Sequence, residues 1–251
     1  MASSGWTQPL TLVGQPFWDF HTGGFRHLEV LSRIAGVDGA PIAPPAYWAS
    51  ALAAGPEWVA VLDRHVFQSA LARPPATRGR LFINVWPPSV LQHDLPWGDA
   101  SAPQVTHTAL ELSEMHEWST AAWRSLKAYR ALGGWIALDD VGAGRDGLTM
   151  MATLAPDVVK VDRILIDGVS RSAGQAAVVR HLVQMAHDVG ARAVAEGVER
   201  PEDAAWCADA GFDWGQGYLW ARPAPWTVHQ GGFLDDEGSE GNEGANARLS
   251  G

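Results

Sequence analysis

The sequence predicts an α/β protein, a TIM-like (β/α)8 barrel with an antiparallel first strand. Three observations support this prediction. Short apolar runs alternate with stretches of helical periodicity, which is typical of a parallel sheet covered by helices. About eight such runs occur in the 251 residues, and eight strands close a barrel of this kind. The first two runs are separated only by His21-Thr22-Gly23-Gly24, too short for a crossover helix, so they should form an antiparallel hairpin.

Each predicted strand is a short apolar run bounded by glycine, proline or polar residues. Helical stretches lie between most of them. In chain order the predicted strands cover residues 10–13 with 16–18, 25–31, 81–86, 105–112, 135–138, 158–161, 192–195 and 218–220.

Glycine and proline set the ends of the predicted helices. The helix over 52–71 is interrupted by Gly55-Pro56, and the helix over 120–132 stops at the glycine pair that follows it. Residues 178–189 keep apolar side chains at helical spacing up to Gly190. The last helix begins at Pro201 and ends before residue 211.

Composition and charge favour a globular domain and argue against polyanionic partners, while a small anionic ligand held through bound metal ions remains possible. The chain is 47% hydrophobic with a formal net charge of −10, and clustered Lys and Arg, which grip polyphosphate backbones, are absent. We therefore expect no binding to DNA, RNA or membrane. We predict a flexible N terminus over residues 1–9, a barrel domain over 10–228, and an acidic, glycine-rich, disordered tail over 229–251.

The single cysteine, Cys207, excludes an intrachain disulfide and a cysteine-based zinc site. The nine histidines show no HExxH-type spacing, so no chemistry is assigned to them. The first residues lack the basic and apolar regions of a secretion signal, and no apolar run reaches the length of a membrane span. We expect a cytoplasmic protein.

The stretch 135–162 carries the first chemical signal. An apolar run ends in Asp139-Asp140, a glycine-rich loop follows, and the next apolar run contains Lys160. Two acids at one strand end beside a lysine on the next strand predict a cation and phosphate site. Solvated acids and a snorkelling lysine explain these residues equally well.

The same pattern recurs along the chain, because most of the predicted strands end in a charged or amide side chain. These residues are Glu29, Asn84, Glu111 and Glu114, Asp139 and Asp140, Lys160, Glu196 and Glu199, and Gln216. In a parallel barrel the carboxyl ends of the strands meet at one mouth. Carboxylates about 4 Å apart repel by roughly 4 kcal/mol even at an effective dielectric of 20, so the cluster needs cations. Oxygen ligands favour Mg²⁺ or Mn²⁺ over zinc.

Taken together in order and spacing, seven segments resemble the EAL-domain cyclic-di-GMP phosphodiesterases. They are FRHLEVLSR, FINVWP, LELSE, DDVGAG, KVDR, AEGVE and QGYLWARP. Glu29-Val30-Leu31 stands where that family has Glu-Ala-Leu. The resemblance covers about residues 10–226, and it implies a stand-alone barrel that hydrolyses cyclic di-GMP to linear pGpG with two divalent ions, Mg²⁺ or Mn²⁺.

The resemblance also implies roles for individual residues. The metal ligands would be Glu29, Asn84, Glu111, Asp139 and Asp140, with Glu196 and Glu199 completing the cluster. The catalytic residues would be Lys160, Glu196 and Gln216: Lys160 would hold or activate the attacking water, and Gln216 would help to position that water or the ligand network. The ligand would be contacted by Gln15 and Arg33, and the loop after the paired aspartates would be anchored by Glu114. Glu114 and Glu199 could instead be solvated or salt-bridged, and Gln15 could satisfy backbone groups in the hairpin.

This chain departs from the family in the loop after Asp140. Where the family usually has Asp-Asp-Phe-Gly-Thr-Gly-Tyr-Ser-Ser-Leu, residues 139–148 read DDVGAGRDGL. Because of this departure, neither the family's catalytic rate nor its coupling between the subunits of a homodimer can be assumed for this chain. Two functions remain open: an active phosphodiesterase, or a cyclic-di-GMP receptor with little or no catalysis that acts through a protein partner. The complete set of matched metal ligands favours the enzyme.

Overall fold

The structure, a computed structural model, describes residues 10–35, 41–42, 44–72, 79–91, 97–98, 102–114, 118–144 and 146–225. The predicted N-terminal segment 1–9, Arg145 of the altered loop and the predicted tail 229–251 lie outside the described residues.

Within the described residues ten strands form a single sheet, and eight of them close into a barrel. The strands are β1 (Leu10–Asp19), β2 (Gly24–Ala35), β3 (Pro41–Ile42), β4 (Leu81–Asn84), β5 (Thr108–Ser113), β6 (Trp135–Val141), β7 (Val158–Val161), β8 (Arg192–Ala195), β9 (Trp214–Gly215) and β10 (Ala224–Pro225). Around the barrel the order is β1, β9, β8, β7, β6, β5, β4, β2, and β1 pairs with β2 to close it.

The antiparallel first strand is confirmed. β1 pairs antiparallel with both β2 and β9, whereas the pairings from β2 through β4 to β9 are all parallel. The short strands β3 and β10 extend the sheet at its two ends, each antiparallel to its neighbour. All the parallel strands therefore direct their carboxyl ends to one mouth, where a barrel assembles its functional groups.

Helices connect most of the strands. Those in the described residues are α1 (Pro44–Ala54), α2 (Pro56–Leu71), α3 (Ala102–Val105), α4 (Thr120–Ala131), α5 (Gly147–Leu154), α6 (Arg163–Ile166), α7 (Ala173–Asp188) and α8 (Pro201–Asp209), with 3-10 turns at Pro87–Leu91 and Val169–Arg171. The predicted interruption at Gly55-Pro56 is confirmed: Gly55 precedes α2 with φ 134°, which a glycine tolerates, and Pro56 begins the helix.

Two strand predictions are wrong. Residues 218–220 form a turn rather than the eighth barrel strand, which is β9 at Trp214–Gly215. The ring of Trp220 packs on Gly215, where an added Cβ would lie 2.6 Å from it, so this apolar run covers the last strand instead of forming it. Val105 also lies in a helix, α3, and not in the following strand.

The barrel interior is built in two layers. The lower layer is apolar and takes one side chain from each of seven strands: Phe17, Phe82, Ala109, Ala137, Val158, Val194 and Trp214. On the eighth strand, β2, His27 contacts the rings of Phe17, Phe82 and Trp214. Since side chains alternate along a strand, the inward position two residues nearer the mouth belongs to the next layer.

That upper layer is polar in all eight strands. It consists of Gln15, Glu29, Asn84, Glu111, Asp139, Lys160, Glu196 and Gln216. The outward faces of the same strands are apolar and pack under the helices in two larger clusters. Apolar residues therefore lie below the polar layer and around its outside. The polar side chains are open only toward the mouth of the barrel.

Among the described residues, no helix combines the length and the apolar character that crossing a membrane requires.

His27 should make stability fall in acid. Burial, with help from the charges of Arg26 and Arg80, lowers its pKa to about 3, and its Nδ1 accepts from the Arg80 backbone N–H at 2.9 Å. The unfolded chain binds this proton at pH 6.5 and the folded chain does not, so the contribution is complete above pH 6.5. Between pH 6.5 and 3 the unfolding free energy should lose up to about 1.4 kcal/mol per pH unit.

Urea unfolding at pH 5 and pH 7 of the wild type and His27→Gln measures this effect, because Gln keeps an acceptor but binds no proton. His65→Gln, at an exposed helical position, is the matched control. An equal pH dependence in wild type and His27→Gln would contradict the assignment.

Candidate active site

Lys160 lies at the centre of the polar layer. Its Nζ lies 2.7 Å from Glu111 Oε1, 2.8 Å from Glu196 Oε1 and 2.9 Å from Asp139 Oδ1, and 4.0 Å from Glu29 Oε1. The side chain is only 1% exposed. Strands β5, β6, β7 and the end of β8 thus bring four charged groups, far apart in sequence, to one point. The snorkelling alternative for Lys160 is excluded, because its amine stays inside the barrel.

Two amide side chains orient the carboxylates around Lys160. Asn84 donates through Nδ2 to Glu111 Oε2 at 2.8 Å and, over a longer 3.4 Å, to Glu29 Oε1. Gln216 donates through Nε2 to Glu29 Oε2 at 2.7 Å. These bonds fix the direction of carboxylate oxygens that could ligate a metal ion.

A bulge in β6 turns Asp140 toward the mouth. The pairing with β7 shifts register between Leu138 and Val141, and Asp140 has φ 59°, a left-handed conformation that is uncommon outside glycine. Strict alternation would send Asp139 and Asp140 to opposite faces of the sheet. The bulge instead re-aims the second carboxylate, whose Oδ2 accepts from the Ser113 hydroxyl at 2.7 Å.

Glu114 holds the loop that follows Asp140. Its Oε1 accepts from the backbone N–H groups of Gly142 at 2.9 Å and Gly144 at 2.5 Å. Gly147 packs directly against the same carboxylate, where a Cβ would clash with it. Val141, which replaces the aromatic residue of the family pattern, is buried in the outer core. The described part of the altered loop thus has its own anchor.

The remaining predicted residues lie around this cluster. Gln15 pairs with Glu29 across the hairpin and donates to the Ala221 carbonyl at 3.1 Å. Arg33 is four positions beyond Glu29 on β2 and so shares its face of the strand. Glu199 is not among the carboxylates that contact Lys160. It pairs with Arg163, its Oε1 3.3 Å from Nη1, and is 42% exposed.

The cluster holds more negative charge than its lysine can balance. Burial, opposed by the Lys160 ammonium, raises the pKa of Glu111 well above its ordinary value. Burial and the neighbouring Asp139 charge raise the pKa of Glu196 and of Asp140. The surrounding carboxylates outweigh burial at Lys160 and raise its pKa, so the amine stays protonated. Five carboxylates against one ammonium leave four negative charges uncompensated when all are ionised.

This imbalance fits divalent cations. Oxygen atoms of Asp139, Asp140 and Glu196 lie within 4.8 Å of one another, a spacing at which they could share an ion. The donors are carboxylate and amide oxygens, the ligands that Mg²⁺ and Mn²⁺ prefer. Two divalent ions would carry four positive charges, matching the four uncompensated negative ones.

Ser113→Ala should weaken divalent-ion binding roughly 10-fold, because partners that orient metal-binding carboxylates typically contribute that much. The lost hydroxyl is the donor that holds Asp140 Oδ2. Ser113→Thr keeps the hydroxyl and should bind ions like the wild type. Isothermal titration with Mn²⁺ on the three proteins measures the difference, and equal affinity in Ser113→Ala would show that the bulge alone positions Asp140.

Sequence reasoning missed two contributors to this site. Ser113 lies next to Glu114 at the end of β5. It is two positions after Glu111 and so shares its inward face of the strand, and this spacing is the one signal that could have indicated its role. Arg163 lines a cavity of about 210 Å³ together with Glu29, Glu196 and Glu199. It follows Lys160 by three positions and ends the KVDR segment, but no strand places it, because β7 ends at Val161.

Residues 7–223 match the family model described as EAL domain. The chain is 27% identical over 226 residues to the uncharacterized protein y4lL of Sinorhizobium fredii (strain NBRC 101917 / NGR234), covering 84% of this chain and 26% of that protein. It is 26% identical over 225 residues to the probable cyclic di-GMP phosphodiesterase PdeB of Escherichia coli (strain K12), covering 84% of this chain and 42% of that protein. The chain spans less than half the length of these curated relatives.

Solved structures share the fold. Klebsiella pneumoniae BlrP1, in a calcium and cyclic-diGMP complex at pH 8.0, has a TM-score of 0.74 and 27% identity, over 89% of this chain and 58% of that chain. A standalone versatile EAL protein from Vibrio cholerae O395, in its c-di-GMP bound form, has a TM-score of 0.74 and 22% identity, over 88% of this chain and 94% of that chain. At that lower identity the likeness shows the fold alone.

Proposed function

This chain belongs to the EAL domain family, and on that premise we propose that it is a phosphodiesterase that hydrolyses cyclic di-GMP to linear pGpG. The observation that carries the proposal is the polar layer, in which every strand of the barrel supplies an inward-facing polar group around Lys160. A receptor that had lost catalysis would have no need of four carboxylates within 4.0 Å of one buried ammonium.

The proposed cofactors are two Mg²⁺ or Mn²⁺ ions. Their ligands would come from the oxygen donors of the cluster: Glu29, Asn84, Glu111, Asp139, Asp140, Glu196 and Glu199. When bound, such ions activate water and stabilise the entering and leaving oxygens of an in-line displacement. The protein's own contribution is to hold these donors in place before the substrate arrives.

Lys160 acts in this proposal as a hydrogen-bond donor. In the ion-free protein the surrounding carboxylates outweigh burial and raise its pKa, so the protonated amine is a donor. It fixes Glu111, Asp139 and Glu196 and can donate to the oxygen that attacks phosphorus, which orients that oxygen. Gln216, which follows β9, fixes Glu29 of β2 through its 2.7 Å bond, and only β1 lies between these two strands.

The substrate would occupy the mouth above the polar layer. Gln15 and Glu29 line the cavity there, and Arg33 follows on the same strand face. A guanidinium suits the phosphate groups or the guanine edges of a cyclic dinucleotide, since it offers a planar set of donors. A cytoplasmic location and a homodimer belong to the proposal as well, and light scattering tests the second.

The test is incubation of the purified chain with cyclic di-GMP and Mg²⁺ or Mn²⁺, followed by chromatography. We expect pGpG to form with either ion and to be absent after chelation with EDTA. Undiminished hydrolysis after thorough chelation would contradict the two-metal mechanism, and a product other than pGpG would contradict the assigned reaction.

A further inference from the structure

Arg163 and Glu199 face the same cavity as the acidic cluster. Arg163 Nη1 lies 3.3 Å from Glu199 Oε1, and the two side chains are 56% and 42% exposed. The cavity between them and the barrel is also lined by Glu29, Glu196 and Gln216. Glu199 thus has a cation partner on one side and the uncompensated carboxylates on the other.

The aliphatic part of the Arg163 side chain, its stem, is held in a fixed position by packing. It packs on Gly197, where an added Cβ would lie only 2.5 Å from Arg163 Cγ, and Gly197 has φ 62°. Gly197 lies between Glu196, which contacts Lys160, and Glu199. Arg163 is therefore held over the segment that carries both glutamates, and its guanidinium reaches the outer one.

We propose that Arg163 is a positioning residue that competes with a divalent ion for Glu199, so that ion binding and the Arg163–Glu199 ion pair exclude each other. The inference rests on the proposed function in one respect, that the acidic cluster binds divalent ions. In the ion-free protein Glu199 stays with Arg163, outside the cluster. When an ion takes Glu199, the guanidinium is released into the cavity wall, where it can meet an anionic ligand.

The energetics allow this exchange. An ion pair between two exposed side chains is weak, because solvent screens it and ordering two long side chains costs entropy. A divalent ion that is already held by the inner carboxylates can therefore capture Glu199 at little cost. The pair should lower ion affinity by only a small factor.

Mn²⁺ titration by calorimetry, without nucleotide, tests the competition in a double-mutant cycle. Arg163→Met keeps the stem over Gly197 and removes the charge, and we expect it to bind Mn²⁺ roughly two- to fivefold more tightly than the wild type. Arg163→Lys keeps a cation and should stay near the wild-type affinity. In a Glu199→Gln background, Arg163→Met should have little further effect, because the contested carboxylate is gone.

The cycle separates competition from the general effect of removing a positive charge near an acidic cluster. That general effect would tighten Mn²⁺ binding equally in the Glu199→Gln background, and this outcome would overturn the proposal. Unchanged or weaker binding in Arg163→Met, or no Mn²⁺ binding by the wild type, would also overturn it. If the cycle behaves as expected while no pGpG forms, the inference stands and the proposed function alone fails.

Discussion

Lys160→Met should lower kcat about 100-fold or more, because it removes the group that orients the catalytic carboxylates and the attacking oxygen. It should also lower the unfolding free energy of the metal-free protein by about 3 to 5 kcal/mol, since three carboxylates lose a buried partner within 2.9 Å. Divalent ions should restore part of this stability, because they supply positive charge to the same carboxylates. They should not restore the rate.

The chain provides a matched control. It contains only one other lysine, Lys127, on the exposed face of α4. Lys127→Met should leave kcat and stability unchanged. For each protein, steady-state kinetics gives kcat and urea unfolding gives the free energy of unfolding. Both are measured with and without Mn²⁺. Near wild-type turnover in Lys160→Met would show that catalysis does not require Lys160.

Asp140→Asn should raise the stability of the metal-free protein and lower its catalytic rate. The folded-state pKa of Asp140 is raised, so its ionised form costs stability at neutral pH, and a neutral amide removes that cost. Asn also tolerates the φ of 59° better than most residues. The metal-free variant should therefore be more stable than the wild type, by at most about 1 kcal/mol because the carboxylate is partly exposed and solvent screens its charge, while kcat falls about 100-fold through loss of a proposed metal ligand.

The gain in stability should depend on pH with a defined sign. It should be largest at neutral pH, shrink as the pH falls through the raised folded-state pKa of Asp140, and vanish below the ordinary pKa of aspartate, about 3.9, where Asp140 is protonated in both folded and unfolded states. The Mn²⁺-induced rise in Tm should also be smaller in the variant. Asp146→Asn, an exposed position in the same loop, is the control. A destabilised Asp140→Asn protein would contradict the electrostatic account of the cluster.

The sequence predicted the barrel because its strands are buried on both faces. Runs such as 158–161 are apolar except at the inward position of the polar layer, so the sequence indicated both the strand and its candidate site residue. The last strand was missed because β9 has only two residues, one of them a glycine that leaves room for the Trp220 ring. An apolar run nearby, in a turn, gave the stronger signal.

The site was predictable as a set of residues but not as a geometry. The polar residues could be collected because each follows an apolar run toward the mouth. The bulge at Asp140 could not be predicted, because strict alternation gives the opposite orientation. An aspartate in the sequence also does not reveal that its φ is positive. The pairing of Glu199 with Arg163 was also beyond sequence reasoning, because it depends on the close approach of two loops from different strands.

A single-turnover assay with the protein in excess over cyclic di-GMP, at saturating Mn²⁺, tests the central claim most directly. Excess protein binds all of the nucleotide, so even slow catalysis must convert it, and the altered loop after Asp140 cannot hide the reaction. The account predicts that chromatography shows complete conversion to pGpG in the wild type and persistence of bound cyclic di-GMP in Lys160→Met. Cyclic di-GMP that stays tightly bound and intact in the wild type would contradict it and identify the chain as a receptor.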